Sequence, residues 1–280
     1  MRQHHSFEAI DNPRPSETPV PRALLLFDID GVIRDVGGSY RRAIVETVSH
    51  YSGWRPESAT IDSLKAEGCW NNDWKASLEL LRRRGYGEQS QASLPSFGDL
   101  VEIFNSFYFG GNPEDDPSNW TGFIRDEPLL VNPEFFDALD QKGWKWGFVS
   151  GAEPPSARFV LETRLGLVHP PLTAMGDAPD KPDPEGLIKM ANSLLGCNLG
   201  AEAPVIAYLG DTVADVKTVI RAREQLPEQR FVSLAVVPPH LQNAKQLEAR
   251  KQYEKNLRAA GADLVISHTM AALNWNPNQI

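Results

Sequence analysis

The apolar run Leu24-Leu25-Leu26-Phe27, between Pro21 and Gly31, predicts a buried parallel strand. Beyond it the apolar spacing changes. Ala43, Ile44, Thr47, Val48 and Tyr51 recur at helical intervals from Tyr40 to Tyr51, with Ser39 placed to cap the start and Gly53 to stop the end. Further helices are predicted over Ser58 to Glu67, Trp74 to Arg84 and Leu100 to Phe109. From Asn132 onward, strands and helices alternate. Strands are predicted at Lys145 to Val149, Leu172 to Met175, Val205 to Leu209, Phe231 to Val237 and Leu264 to Ile266. The helices between them are predicted at Pro133 to Lys142, Pro154 to Leu165, Pro184 to Leu195, Val213 to Gln225 and Leu241 to Ala260.

Such alternation indicates parallel crossover units. The expected fold class is therefore α/β: a Rossmann-like parallel sheet sandwiched by helices, with an all-helical cap domain inserted after the first strand. The expected division gives a flexible N-terminal arm at 1–20, rich in proline and polar residues, and a core made of 21–37 and 128–280. Residues 38–127 form the helical cap, placed to close over the strand ends.

Composition narrows the function. The net charge of −9 argues against a nucleic-acid binder, which needs a basic footprint. No apolar run has the length of a membrane span. Cys69 and Cys197 are far apart and form no CxxC, so a disulfide framework or thiolate zinc site is not expected, and a reducing, cytoplasmic setting fits. There is no GxGxxG after a strand and no GxxxxGK[ST], which disfavours a dinucleotide or P-loop enzyme.

The candidate chemistry lies at strand ends, where open α/β sheets bind ligands. Asp28 and Asp30 follow the first strand, Ser150-Gly151 the second, and Gly210-Asp211-Thr212-Val213-Ala214-Asp215 the strand at Val205 to Leu209; Lys181 sits in Asp180-Lys181-Pro182-Asp183-Pro184. Each has a bland reading taken alone: a turn, a loop, or, for Asp211, an N-cap. Together and in this order they resemble the haloacid dehalogenase superfamily of aspartyl-nucleophile hydrolases, over about residues 22–267. The position of the helical insertion resembles the subclass that includes phosphoglycolate phosphatases and beta-phosphoglucomutases.

The resemblance implies a Mg²⁺-dependent phosphatase acting on a small phosphorylated metabolite. By it, Asp28 is the nucleophile, forming an aspartyl-phosphate, and Asp30 the general acid and base. Ser150, Gly151 and Lys181 hold the phosphoryl oxygens. Asp28, the Asp30 carbonyl, Asp211 and Asp215 hold Mg²⁺. The residue types suit this chemistry, because a carboxylate attacking a phosphate faces like-charge repulsion that a cation and a lysine relieve. Carboxylate oxygens are also the donors that Mg²⁺ prefers. An acid at Asp30 argues against carbon–halogen cleavage.

The alternatives are a phosphomutase acting on a sugar phosphate and a non-catalytic ligand-binding protein on the same fold. Within the insertion, Arg42 (with its neighbour Arg41), Asn71 and Asn72 are candidate substrate contacts, set against solvated charge and helix capping as the plainer readings. Arg34 departs from the small or apolar residue that the family pattern leads one to expect, and is read as touching substrate or cap. The helical module also offers a surface for a homodimer.

Overall fold

The computed structural model describes residues 21–67, 70, 72–85 and 93–279. The expected arm at 1–20 lies outside them, as do Gly68, Cys69 and Asn71. The chain runs β1 (Ala23–Phe27), α1 (Tyr40–Ser52), α2 (Ser58–Ala66), α3 (Asp73–Arg83), α4 (Phe97–Tyr108), α5 (Pro133–Gln141), β2 (Trp144–Val149), α6 (Pro154–Arg158), β3 (Leu172–Thr173), α7 (Glu185–Leu195), β4 (Val205–Gly210), α8 (Val213–Gln225), β5 (Phe231–Val236), α9 (Leu247–Ala259) and β6 (Leu264–Ile266). The strands form one parallel sheet in the order β3-β2-β1-β4-β5-β6.

Strand β1 is central and wholly buried. Its side chains alternate between faces, as a pleated strand requires. Leu25 and Phe27 pack in one apolar layer with Phe135, Phe136 and Leu139 of α5. Leu24 and Leu26 pack in another with Leu187, Met190 and Ala191 of α7. Because the chain leaves β1 in one direction to β2 and later returns on its other side as β4, the carboxyl end of β1 is the switch point of the sheet.

Between β1 and α5 the described residues contain α1 to α4 and two short 3₁₀ turns (Pro117–Asn119 and Phe123–Asp126) but no strand. The two chain crossings that bracket these helices pair with each other. The Asp35 amide donates to the Pro128 carbonyl at 2.8 Å and the Leu130 amide to the Ile33 carbonyl at 2.8 Å. Arg34 and Leu129 form an antiparallel bridge between them.

Among the boundaries that differ from the sequence expectation, three do so for identifiable local reasons. Helix α4 begins earlier because Ser96 accepts from the Asp99 amide, a cap obscured in the sequence by Gly98 in the first turn. The expected long helix from Leu241 starts only at Leu247. Asn243 draws the Lys245 amide into its own turn and leaves two 3₁₀ turns in front. The helix from Pro154 widens into a π-helical turn over Phe159–Arg164. A C-terminal 3₁₀ segment, Thr269–Asn274, was not expected; Thr269 Oγ1 anchors it by donating to the Val32 carbonyl at 2.6 Å.

Candidate active site

The residues singled out at the strand ends converge. Asp28 follows β1 directly, its amide donating to the Leu209 carbonyl of β4 at 2.9 Å. Its Oδ1 accepts from the Ile29 amide at 2.8 Å, and its Oδ2 lies 2.9 Å from Lys181 Nζ. The same ammonium lies 2.5 Å from Asp215 Oδ1 and 3.1 Å from the Tyr208 hydroxyl. Lys181 thus bridges the acid after β1 to the acid in the first turn of α8.

Asp211 and Asp215 play unequal parts. Thr212, not Asp211, is the N-cap of α8. It forms a reciprocal capping box with Asp215, whose Oδ2 accepts from the Thr212 amide at 2.9 Å and from its hydroxyl at 2.6 Å. With Lys181 on its other oxygen, Asp215 is fully engaged. Asp211 is released from capping. Its backbone carbonyl accepts from Tyr253 of α9 at 2.9 Å, yet its buried carboxylate has no hydrogen-bond or ion-pair partner among the described residues. Gly31, with φ of 75°, lets the chain pass against that carboxylate: a Cβ there would sit 2.1 Å from Asp211 Oδ2.

The electrostatics follow from this crowding. Ligand oxygens of Asp28, Asp211 and Asp215 lie within 4.8 Å of one another, and one ammonium faces them. Burial raises the Asp28 carboxyl to about 6; Lys181 opposes the rise, and Asp215 and Asp30 add to it. Burial, with Asp215 and Asp28 beside it, pushes Asp211 well above the usual carboxylate range. Asp215 is buried as well, but Lys181 and the Thr212 hydrogen bonds bring it below its ordinary value. The cluster is short of positive charge. Its donors are hard oxygens, and its one open, unpartnered carboxylate suits a cation such as Mg²⁺.

Ser150 and Gly151 follow β2 and line one cleft with Lys181. Ser150 Oγ accepts from the Ala152 amide at 3.2 Å. No atom stands within 4 Å of the place a Cβ would take on Gly151, so its backbone is open to approach.

Asp30 lies outside the carboxylate cluster. Its Oδ1 is held by Arg34 Nε at 2.7 Å. Arg34 has no exposed surface and packs among Glu127, Ser156, Tyr40 and Tyr108, so of the two readings of this residue, contact with the inserted helices is the one observed.

The insertion candidates fare differently. Asn72 is the N-cap of α3, accepting from the Lys75 amide at 2.9 Å, so its side chain is spent on the helix. Arg42 is exposed and lies over the Phe123 ring at 3.9 Å, a packing role. Asn71 is outside the described residues.

Two contributors were not singled out from sequence. Tyr208 donates to the Val149 carbonyl at 2.7 Å and stands beside both Lys181 and Asp215. A tyrosine in the otherwise apolar run Val205-Ile206-Ala207-Tyr208-Leu209 was the available signal. Thr212 begins a Thr-x-x-Asp pattern, a signal that competes with the adjacent Asp211 as an alternative N-cap.

A parallel sheet with acids and a lysine gathered on its carboxyl edge, and helices inserted after its first strand, defines an α/β protein of the class whose ligand sites lie at the switch point of the sheet. The chain belongs to the haloacid dehalogenase-like hydrolase family, whose family model matches residues 23–223. A curated relative, an imidazoleglycerol-phosphate dehydratase from Phytophthora nicotianae, is 30% identical over 198 residues, covering 70% of this chain and 40% of the relative. The chain therefore spans less than half of that longer protein.

Among solved structures, a phosphatase from Thermococcus thioreducens is similar, with a TM-score of 0.56 and 20% identity, covering 84% of this chain and 99% of the other. So is a predicted phosphoglycolate phosphatase from Haemophilus somnus, with a TM-score of 0.61 and 14% identity, covering 90% and 96%. These two likenesses show the shared fold.

Proposed function

We propose that this chain is a Mg²⁺-dependent phosphatase that hydrolyses a small phosphomonoester through an aspartyl-phosphate. The observation that carries the reading is Lys181 bridging Asp28 and Asp215 beside the unpartnered carboxylate of Asp211. Asp28, Asp211 and the Asp30 carbonyl would hold the metal directly, with Asp215 acting through Lys181 or a water because its own oxygens are engaged. When bound, Mg²⁺ supplies charge neutralisation at the phosphoryl oxygens.

The Asp28 carboxylate attacks phosphorus and the bond to the ester oxygen breaks. Asp30 gives its proton to the departing alkoxide. Asp30, now ionised, takes a proton from water as that water attacks the aspartyl-phosphate, releasing inorganic phosphate and restoring Asp28. Lys181, the Ser150 hydroxyl and the Gly151 amide hold the phosphoryl oxygens through both transfers. Residues 38–127 act as the cap that closes over the strand ends.

The test is phosphate release with Mg²⁺ from a panel of phosphomonoesters: phosphoglycolate, hexose phosphates and, because of the name of the Phytophthora relative, an imidazole-bearing alkyl phosphate. Release from at least one ester, abolished in Asp28→Asn, is expected. Undiminished activity in Asp28→Asn overturns the nucleophile assignment. Sugar-phosphate isomerisation without phosphate release supports a mutase instead.

A further inference from the structure

Arg34 is a fully buried guanidinium one turn from the site, in the first of the two crossings between the sheet and the inserted helices. Taking such a charge out of water is costly unless it is paired and hydrogen-bonded, and here every nitrogen has a partner. Nε donates to Asp30 Oδ1 at 2.7 Å. Nη2 donates to Ser156 Oγ at 2.7 Å, with the Tyr40 hydroxyl at 3.5 Å. Nη1 lies 3.0 Å from Glu127 Oε2, an ion pair outside hydrogen-bond geometry, and 3.5 Å from the Ser156 carbonyl.

The partners are themselves fixed. Tyr108 of α4 donates to Glu127 Oε1 at 3.2 Å, sits 3.1 Å from Ser156 Oγ and stacks on Tyr40 of α1 with ring centroids 4.4 Å apart. Ser39 also donates to Glu127 Oε1, and Arg164 donates to the Glu127 carbonyl. Glu153 faces the same guanidinium electrostatically.

Asp30 is the acid of this network that carries an unengaged oxygen on a partly open side chain. Its side chain is 29% exposed, and its Oδ2 has no partner among the described residues. Arg34 itself reaches no solvent, so it is not a substrate contact.

We propose that Arg34 is the positioning residue for Asp30: it clamps Oδ1 so that Oδ2 is the oxygen that exchanges the proton, and it makes that placement depend on the second crossing and on the inserted helices through Glu127, Tyr40 and Tyr108. The inference rests on the phosphatase reading above, in which Asp30 is the general acid. It predicts a defect confined to steps that need the acid. An alkyl phosphate leaves as a strong base and needs the proton. 4-Nitrophenyl phosphate leaves as a stable phenolate and does not.

The quantity to measure is kcat/KM, which reports the steps through phosphoryl transfer and not the later hydrolysis of the aspartyl-phosphate. The variant is Arg34→Met/Glu127→Gln, which removes both buried charges together so that neither is stranded. Its kcat/KM on glycerol phosphate should fall at least about tenfold, less than the about 10²–10⁴ that complete loss of a general acid costs because Asp30 itself remains, while that on 4-nitrophenyl phosphate falls less than about threefold.

Arg34→Lys should recover part of the loss. Asp30→Asn should show the same split between esters, and adding it to the double variant should cost little more, since both changes remove one function. Equal losses on the two esters, or losses that add to those of Asp30→Asn, would overturn the positioning role and leave the phosphatase reading standing. Wild-type protein inert toward both esters and toward the wider panel would overturn both.

Discussion

The shortage of positive charge at the carboxylate cluster makes a prediction about stability that requires no substrate. In the metal-free protein, burial raises Asp28 from an ordinary 3.8 to about 6. A folded-state pKa above the unfolded one means that the native state holds the proton more tightly, so stability falls as pH rises through this window and returns as pH is lowered. At about 1.4 kcal/mol per unit, the full cost of ionising Asp28 in the native state is about 3 kcal/mol at neutral pH. Because the unfolded carboxyl is still largely ionised at pH 5, only about 1 kcal/mol of that returns between pH 7 and pH 5.

Glu127 and Glu153, each raised to about 7 chiefly by burial, act in the same direction. Asp28→Asn is therefore the reference that isolates the Asp28 contribution. Urea unfolding at pH 5 and pH 7 in a chelator should show wild type gaining about 1 kcal/mol more than Asp28→Asn on acidification. Mg²⁺ should stabilise wild type more at pH 7 than at pH 5, since proton and metal compete for the same oxygens. Identical pH dependence in wild type and Asp28→Asn, or a Mg²⁺ effect indifferent to pH, would refute the claim that the carboxylate cluster is short of positive charge.

Lys181→Met leaves Asp28 and Asp215 without their shared ammonium; phosphatase activity should vanish and urea unfolding should show a loss of about 3 kcal/mol or more at pH 7, smaller at pH 5 where Asp28 takes up a proton. Gly31→Ala forces a Cβ against Asp211 at a φ of 75°; calorimetric titration should show at least about tenfold weaker Mg²⁺ binding, and unfolding a loss of about 1–2 kcal/mol. Arg42→Ala removes only an exposed contact with Phe123, so melting should report less than about 1 kcal/mol and kcat should stay unchanged.

Much of the sheet and the order of the strand-end residues was legible because each rests on local pattern. Buried strands read as apolar runs, and Asp28, Ser150, Lys181 and Asp211 each follow a strand or sit in a loop marked by glycine or proline. What was not legible depended on partners distant in sequence. Nothing near Arg34 announces that Glu127 and Ser156 will bury its charge, the latter 122 residues away. Likewise, the division of labour between Asp211 and Asp215 turns on Thr212 taking the cap, a choice between adjacent residues that the sequence leaves open. Asn72 and Arg42 show the converse: polar residues in a helical insertion suggest ligand contacts, and here one side chain caps α3 and the other stacks on Phe123, the plainer readings the sequence also offered.

The pairing of the two crossings, Ile33 to Asp35 against Pro128 to Leu130, has a bearing on how proteins of this build diversify. The helices inserted after β1 enter and leave through a single two-stranded stalk, so the ends of the insertion are already tied together where they meet the sheet. A different helical segment spliced in above that stalk, if it kept partners for Arg34 and Glu127 where Tyr40 and Tyr108 now stand, would inherit the same footing while the carboxylate edge kept its shape. New selectivity could then be acquired by transplantation, without rebuilding the chemistry underneath.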